Sequence, residues 1–161
     1  MHPNVTRVAA ELERAGLHAD VRELAASTRT ARDAAAALGC AIGAIANSLL
    51  FDSDGKPVLV LSSGAHRVDT GLVAATIGAT EVRPATADEV RSATGQSIGG
   101  VAPVGHPSPL PTYIDTSLRD YETIWAAAGT SHAVFATTFA DLRRLTGATE
   151  IAVAPDAAGR G

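Results

Sequence analysis

Residues 45–61 read Ile45-Ala-Asn-Ser-Leu-Leu-Phe51, then Asp52-Ser-Asp-Gly-Lys56, then Pro57-Val-Leu-Val-Leu61. Two short apolar runs around a glycine-containing turn predict a β-hairpin. A second pair, Glu122-Thr-Ile-Trp-Ala126 and Ala133-Val-Phe-Ala136, flanks Ala-Gly-Thr-Ser and predicts another. Glu150 to Ala154 reads as a final strand and Tyr113-Ile-Asp115 as a shorter one. Helical signals lie between them. Val5, Val8, Ala9 and Leu12 share one helical face, with Gly16 as a stop. Thr30 is placed to cap an alanine-rich helix ending at Gly39, with Asp33 in its first turn. Asp69 can cap a helix through Leu72, Val73 and Ile77. Thr86-Ala-Asp-Glu89 is a capping box, and Thr138 opens a helix reaching Leu145. Helices and hairpins without regular strand–helix alternation predict an α+β domain with a mixed sheet.

The 161 residues suffice for one core, and a hydrophobic share of 46% against 19% charged excludes a disordered chain. A formal net charge of -4 argues against a basic nucleic-acid coat, and 4% aromatics against binding dominated by base stacking. Of 13 basic residues only Lys56 is a lysine. Cys40 is the single cysteine, which excludes an internal disulfide and any zinc site with two thiolates. The first residues are too charged for a signal peptide, and no apolar run reaches the ~18–20 residues of a membrane span. These features predict a cytoplasmic protein that engages neither membrane nor DNA. Residues 1–154 are expected to form the domain and 155–161 a frayed tail.

The segment Gly95-Gln-Ser-Ile-Gly99-Gly100-Val-Ala-Pro103-Val-Gly105-His106-Pro-Ser-Pro109 has four glycines and three prolines in 15 residues. Such a loop either presents backbone N–H groups to an anion or oxyanion, or is only a stiff connection. It carries no Walker lysine and no dinucleotide fingerprint. His66, His106 and His132 form no His-x-His or HExxH pattern, so a metal site has little support. Ser48, Ser62 and Ser63 lack a nucleophile elbow. Asp115 by default anchors a loop.

In order and spacing, several pieces resemble the YbaK-type aminoacyl-tRNA editing domains, also called prolyl-tRNA synthetase-associated domains. They are Ala44-Ile-Ala-Asn-Ser-Leu-Leu-Phe51, Val58-Leu-Val-Leu61, His66-Arg-Val-Asp69, Ala85-Thr-Ala-Asp-Glu-Val90 and Thr94-Gly95. Gly99-Gly100-Val-Ala-Pro103-Val-Gly105-His106, Leu110-Pro-Thr-Tyr-Ile-Asp115, Ala128-Gly129 and Leu145-Thr-Gly-Ala148 continue the match. The resemblance covers about His2 to Ile151. It implies a curved mixed sheet wrapped by helices and a free-standing deacylase. Such an enzyme hydrolyses the ester of a small, wrongly attached amino acid, such as alanine or cysteine on proline tRNA. No metal or organic cofactor is implied. The implied partners are mischarged tRNA and an aminoacyl-tRNA synthetase.

The implied catalytic positions are Asn47, Gly99, Gly100 and His132. The implied substrate-binding positions are Ser48, Val101, Ala102, Pro103, Gly105, His106 and Asp115. One departure stands out, since Asn47 occupies the position of the family's functional lysine. An amide donates and accepts hydrogen bonds but carries no charge. Lys56, in the hairpin turn, cannot replace it by a small shift. A catalytically impaired relative that binds aminoacyl-tRNA, an amino-acid-like ligand or a protein partner is therefore the alternative. A purely structural module is a third reading; a well-formed concave pocket beside Asn47, Gly100 and His132 would argue against it, and a filled one would support it.

Overall fold

The computed structural model describes residues 2–17 and 20–155. Predicted tail positions from 156 onward lie outside the described residues. Five helices form: α1 (Pro3–Arg14), α2 (Ala31–Leu38), α3 (Thr70–Ile77), α4 (Ala87–Thr94) and α5 (Phe139–Thr146). The helices α2 to α5 each start at a predicted cap, while α1 is capped by His2, which the sequence reading did not single out. Thr30, Asp69, Thr86 and Thr138 all accept a backbone N–H from the first turn, and Glu89 completes the capping box with Thr86.

Eight strands form: β1 (Val21–Glu23), β2 (Ile45–Ser53), β3 (Lys56–Ser63), β4 (Val82–Pro84), β5 (Thr112–Asp115), β6 (Ile124–Ala127), β7 (Ala133–Thr137) and β8 (Thr149–Ile151). They make one mixed sheet in the order β1-β7-β6-β2-β3-β5-β8, with β4 also pairing β2. The α+β expectation holds. Both predicted hairpins exist, β2–β3 and β6–β7, as antiparallel pairs. The first is tighter than its sequence suggested. Ser53 pairs with Lys56, leaving Asp54-Gly55 as a two-residue loop with both φ angles positive.

Alternation along β2 and β3 divides the core. Ala46, Leu50, Leu59 and Leu61 pack against Val90 of α4 and Phe139 and Leu142 of α5. Phe51, Val58 and Val60 face the other way, against Val73 and Ala74 of α3. Ile45 meets Ala34 and Ala35 of α2, while Val5, Val8 and Leu12 of α1 cover Ala126 and Phe135. With helices on both faces, β3 is apolar on both, hence the unbroken Val58-Leu-Val-Leu61 run. The final strand is shorter than predicted. Val153 is buried but leaves the sheet, its carbonyl accepting from Asp69 N–H at 2.8 Å.

Candidate functional site

Strand β2 is too long for its neighbours on one side. There β6 pairs only with Ile45 and Ala46, and β4 only with Phe51 to Ser53. Ile45 directs its carbonyl to Gly64 on the β3 side, so by alternation Ser48 directs its N–H and C=O to the opposite edge. Leu50 does likewise, and its carbonyl accepts from Ala85 N–H at 3.1 Å. Ser48 thus faces an interval in the sheet that no strand fills. Its Oγ is buried, and no group among the described residues hydrogen-bonds to it. An orphaned buried hydroxyl costs about 1–3 kcal/mol.

The glycine-rich segment supplies the facing wall. Ser97 to Gly100 form a tight turn in which Gly100 N–H donates to the Ser97 carbonyl at 2.9 Å. Gly99 has φ +90° at the third position, which a side chain would strain. Gly100 is needed for contact rather than φ. A Cβ there would lie 2.7 Å from the Thr130 carbonyl carbon and 2.9 Å from Ser131 N. The 129–132 turn is fixed in its own right, because Thr28 N–H and Oγ1 both donate to the Ser131 carbonyl, at 2.6 and 2.9 Å. Beyond the turn, buried Gln96 accepts from Ala102 N–H at 2.8 Å and donates to the Val104 carbonyl. His106 Nε2 lies 2.8 Å from the Ala102 carbonyl and, as the N–H tautomer, donates to it. Burial pushes the His106 pKa down, outweighing the opposing effect of that bond.

Between the walls lies a cavity of about 240 Å³. Ala34, Ile45, Ala46, Val101, Ala126 and Val134 form its apolar side. Its polar groups come from Thr28, Thr30, Asn47, Ser48 and Gly99, and Arg29 is its single charged lining residue among those described. The Asn47 side-chain amide makes no hydrogen bond among the described residues, and neither do the Gly99 and Val101 backbone N–H groups. The cavity therefore offers several uncommitted donors and one cation around an apolar floor, an arrangement suited to a polarised carbonyl or an anion.

Not every expected site residue lies here. Asn47, Ser48, Gly99 and Val101 line the cavity. Gly100 and Ala102 stand behind it, one packed on the 129–132 turn and the other tied to Gln96. Pro103, Gly105 and His106 line a separate depression with Arg7 and Glu11. His132 is exposed, with its backbone N–H bonded to Thr130 Oγ1, and does not line the cavity. Asp115 is fully buried at the end of β5. Its carboxylate accepts from Ser63 N–H, Ser117 N–H and Ser117 Oγ, and Oδ2 lies 3.2 Å from His66 Nδ1. Ser117 Oγ also approaches His66 Nδ1, so Ser117 and Asp115 share one ring nitrogen and cannot form a hydrolytic triad. The anchoring role is the one the geometry gives Asp115. Sequence reading missed Arg29, Thr28 and Gln96. Gln96 alone had a signal, an isolated amide within a Gly/Pro-rich loop. Among the described residues no three His, Cys, Asp or Glu side chains gather as a metal site. No helix among them is long and apolar enough to cross a membrane.

The fold and this cavity define a class. The profile of the aminoacyl-tRNA editing domain family matches residues 25–145, and the chain belongs to that family. Among solved structures it is similar to a candidate trans-editing enzyme for prolyl tRNA synthetase. That likeness has 45% identity and TM-score 0.89, covering 95% of this chain and 98% of the other. It is 34% identical to the uncharacterised protein YwhH of Bacillus subtilis (strain 168), over 68% of this chain and 70% of that one. It is also 34% identical to part of a proline–tRNA ligase of Bacillus licheniformis, over 71% of this chain but only 20% of the ligase.

Proposed function

We propose that this protein is an aminoacyl-tRNA deacylase acting in trans, which hydrolyses the ester between a small mischarged amino acid and the 3′ end of a tRNA. The observation that best supports this is the meeting of two segments distant in sequence, 45–49 and 98–101, across one cavity rich in unengaged donors. Likeness to a candidate trans-editing enzyme and to part of a proline–tRNA ligase makes mischarged proline tRNA the first substrate to examine, and the cognate synthetase a natural partner.

In this reading the scissile carbonyl lies between β2 and the Gly99 turn. Water attacks the carbonyl carbon, and the developing oxyanion is held by the Gly99 and Val101 N–H groups with the Asn47 amide. One such donor contributes on the order of 10²–10³ in rate. Ser48 lines the cavity at the gap in the sheet, where its backbone edge is unpaired by any strand. The tetrahedral adduct then releases the free amino acid, and the ribose oxygen departs with a proton from the attacking water. An ester needs less assistance than an amide, so oriented dipoles suffice where the family has a lysine. Gly100, Ala102, Pro103, Gly105, His106 and Asp115 act as positioning residues, and His132 is assigned no step in bond cleavage.

The impaired-relative reading is favoured by one observation, the uncharged Asn47 at the cavity wall. Deacylation of a panel of mischarged tRNAs, with Asn47→Lys alongside, decides between them. Turnover by the natural protein supports the enzyme. Turnover by Asn47→Lys alone supports a lost activity. No turnover by either form overturns the deacylase.

A further inference from the structure

Tied and free amides alternate along the glycine-rich wall. Gly100 N–H donates back to the Ser97 carbonyl at 2.9 Å, and Ala102 N–H donates to Gln96 Oε1 at 2.8 Å. Gly99 and Val101 N–H have no partner among the described residues. Ala102 is thus held by a side chain, not by the backbone of the turn. Gln96 is 2% exposed, and its partners fix which way its amide faces. Ala102 N–H can only donate and so meets Oε1, while the Val104 carbonyl can only accept and so meets Nε2, at a longer 3.4 Å. Gln96 is itself anchored. It follows Gly95, the left-handed cap of α4, and its own N–H donates to Thr94 Oγ1 at 3.0 Å. That hydroxyl is buried and donates to the Val90 carbonyl at 2.7 Å. Residues 97–101 therefore hang in a loop closed by one side chain onto a helix end, and that end packs in the core through Val90.

We propose that Gln96 is a positioning residue for ester cleavage: by pinning the Ala102 N–H it holds the preceding amide, that of Val101, in place on the cavity wall. This rests on the deacylase reading. Gln96 touches no substrate and acts only through Val101. A backbone has two soft torsions per residue, so a peptide plane turns only if its neighbours can follow. The plane carrying Val101 N–H lies between those carrying Gly100 N–H and Ala102 N–H. Ser97 fixes the first and Gln96 the second. Without the Gln96 amide, Ala102 N–H is left without an acceptor at a fully buried residue, and its plane must turn to find one. Val101 N–H then moves with it. A preorganised donor stabilises an oxyanion because it needs no reorganisation during the reaction, and a mobile one loses that advantage. The loss falls on the rate constant and spares substrate binding.

The test measures steady-state deacylation by wild type, Gln96→Met, Gln96→Glu and Val73→Ala, with amide exchange and relaxation of isotope-labelled protein. Met keeps the length of Gln and removes both polar groups. Glu keeps an acceptor for Ala102 and, when ionised, loses only the longer bond to Val104. Val73→Ala is a destabilised control, because Val73 of α3 belongs to a core cluster that does not line the cavity. Rates are taken well below the melting temperature of each variant. The expected result for Gln96→Met is a kcat about tenfold to hundredfold lower with KM within about twofold of wild type. Its Ala102 amide exchanges faster and its Val101 amide has a lower order parameter. Gln96→Glu recovers most of kcat, and Val73→Ala loses stability with kcat unchanged. If Gln96→Met melts below the assay temperature, Gln96→Asn, whose amide falls one methylene short of Ala102, takes its place with the same expected drop. Wild-type kcat in Gln96→Met, or a fall no larger than that of Val73→Ala at equal loss of stability, overturns the assignment. Failure of the two readings is distinguishable. A wild type that deacylates no tRNA removes the enzyme, and the order of Val101 in Gln96→Met still decides whether Gln96 fixes the wall. An active wild type with Gln96→Met unchanged removes only the brace.

Discussion

Gly100→Ala tests how the cavity wall is positioned. The added Cβ would sit 2.7 Å from the Thr130 carbonyl carbon, 2.8 Å from its Cα and 2.9 Å from Ser131 N, where ordinary contact begins at 3.4 Å. All three atoms are backbone, and Thr28 holds the Ser131 carbonyl with two hydrogen bonds, so the 129–132 turn does not yield. The Ser97–Gly100 turn must retreat by about 0.7 Å, carrying the Gly99 and Val101 amides with it. Overpacking of this kind costs about 1–3 kcal/mol in stability. A displacement approaching 1 Å in a group that positions a reaction costs up to about 10²-fold. A fall in deacylation kcat/KM of roughly tenfold to hundredfold is therefore expected. Gly147→Ala is the control, because Gly147 has φ +67° and nothing within 4 Å of an added Cβ. Backbone strain should cost it about 1–2 kcal/mol with activity unchanged. Thermal melting and steady-state deacylation of both variants complete the comparison. A Gly100→Ala protein with native activity would refute the claim that this contact sets the wall.

Ser48→Ala removes an orphaned buried hydroxyl closed off from the cavity, so chemical denaturation should show equal or higher stability with kcat/KM little changed. Asp115→Asn leaves a neutral acceptor where three donors and the His66 ring nitrogen converge. Melting should show a loss of about 3 kcal/mol or more, with KM of the surviving folded enzyme unchanged, whereas a substrate-binding aspartate would raise KM. The half-buried His106 has a folded-state pKa below the ordinary 6.5, so as pH falls below that value the unfolded chain takes up the proton first. Stability measured by denaturant from pH 7.5 to about 5 should decline on that account, and His106→Gln, which retains a donor toward Ala102, should decline less.

What the sequence made legible follows from where the determining contacts lie. Helix starts were readable because Thr30, Asp69, Thr86 and Thr138 each act on the amide three residues ahead. The β2–β3 hairpin was readable because its turn chemistry and strand pattern are contiguous. Strands β1 and β4 were not. Each is three residues long, β4 contains Pro84, and both exist only through pairing with β7 and β2 respectively. The same division governs the site. The Gly99–Gly100 turn declared itself by composition. Arg29 could not, since only the tertiary fold brings its side chain onto Gly99, 70 positions later. The resemblance suggested His132 and Asp115, yet one is exposed beyond the cavity and the other is spent on binding β3 to β5.

The most direct test of the central claim, that the ester is held between β2 and the Ser97–Gly100 turn, uses a non-hydrolysable 3′-aminoacylamino-adenosine. Its binding is mapped by amide chemical shifts at saturation. The largest changes are expected at Ser48, Gly99 and Val101, with the Asn47 side-chain amide shifting and His132 and Asp115 still. Shifts centred on His132, on the depression beside His106, or on the Asp115 cluster, with the cavity amides unmoved, would contradict it.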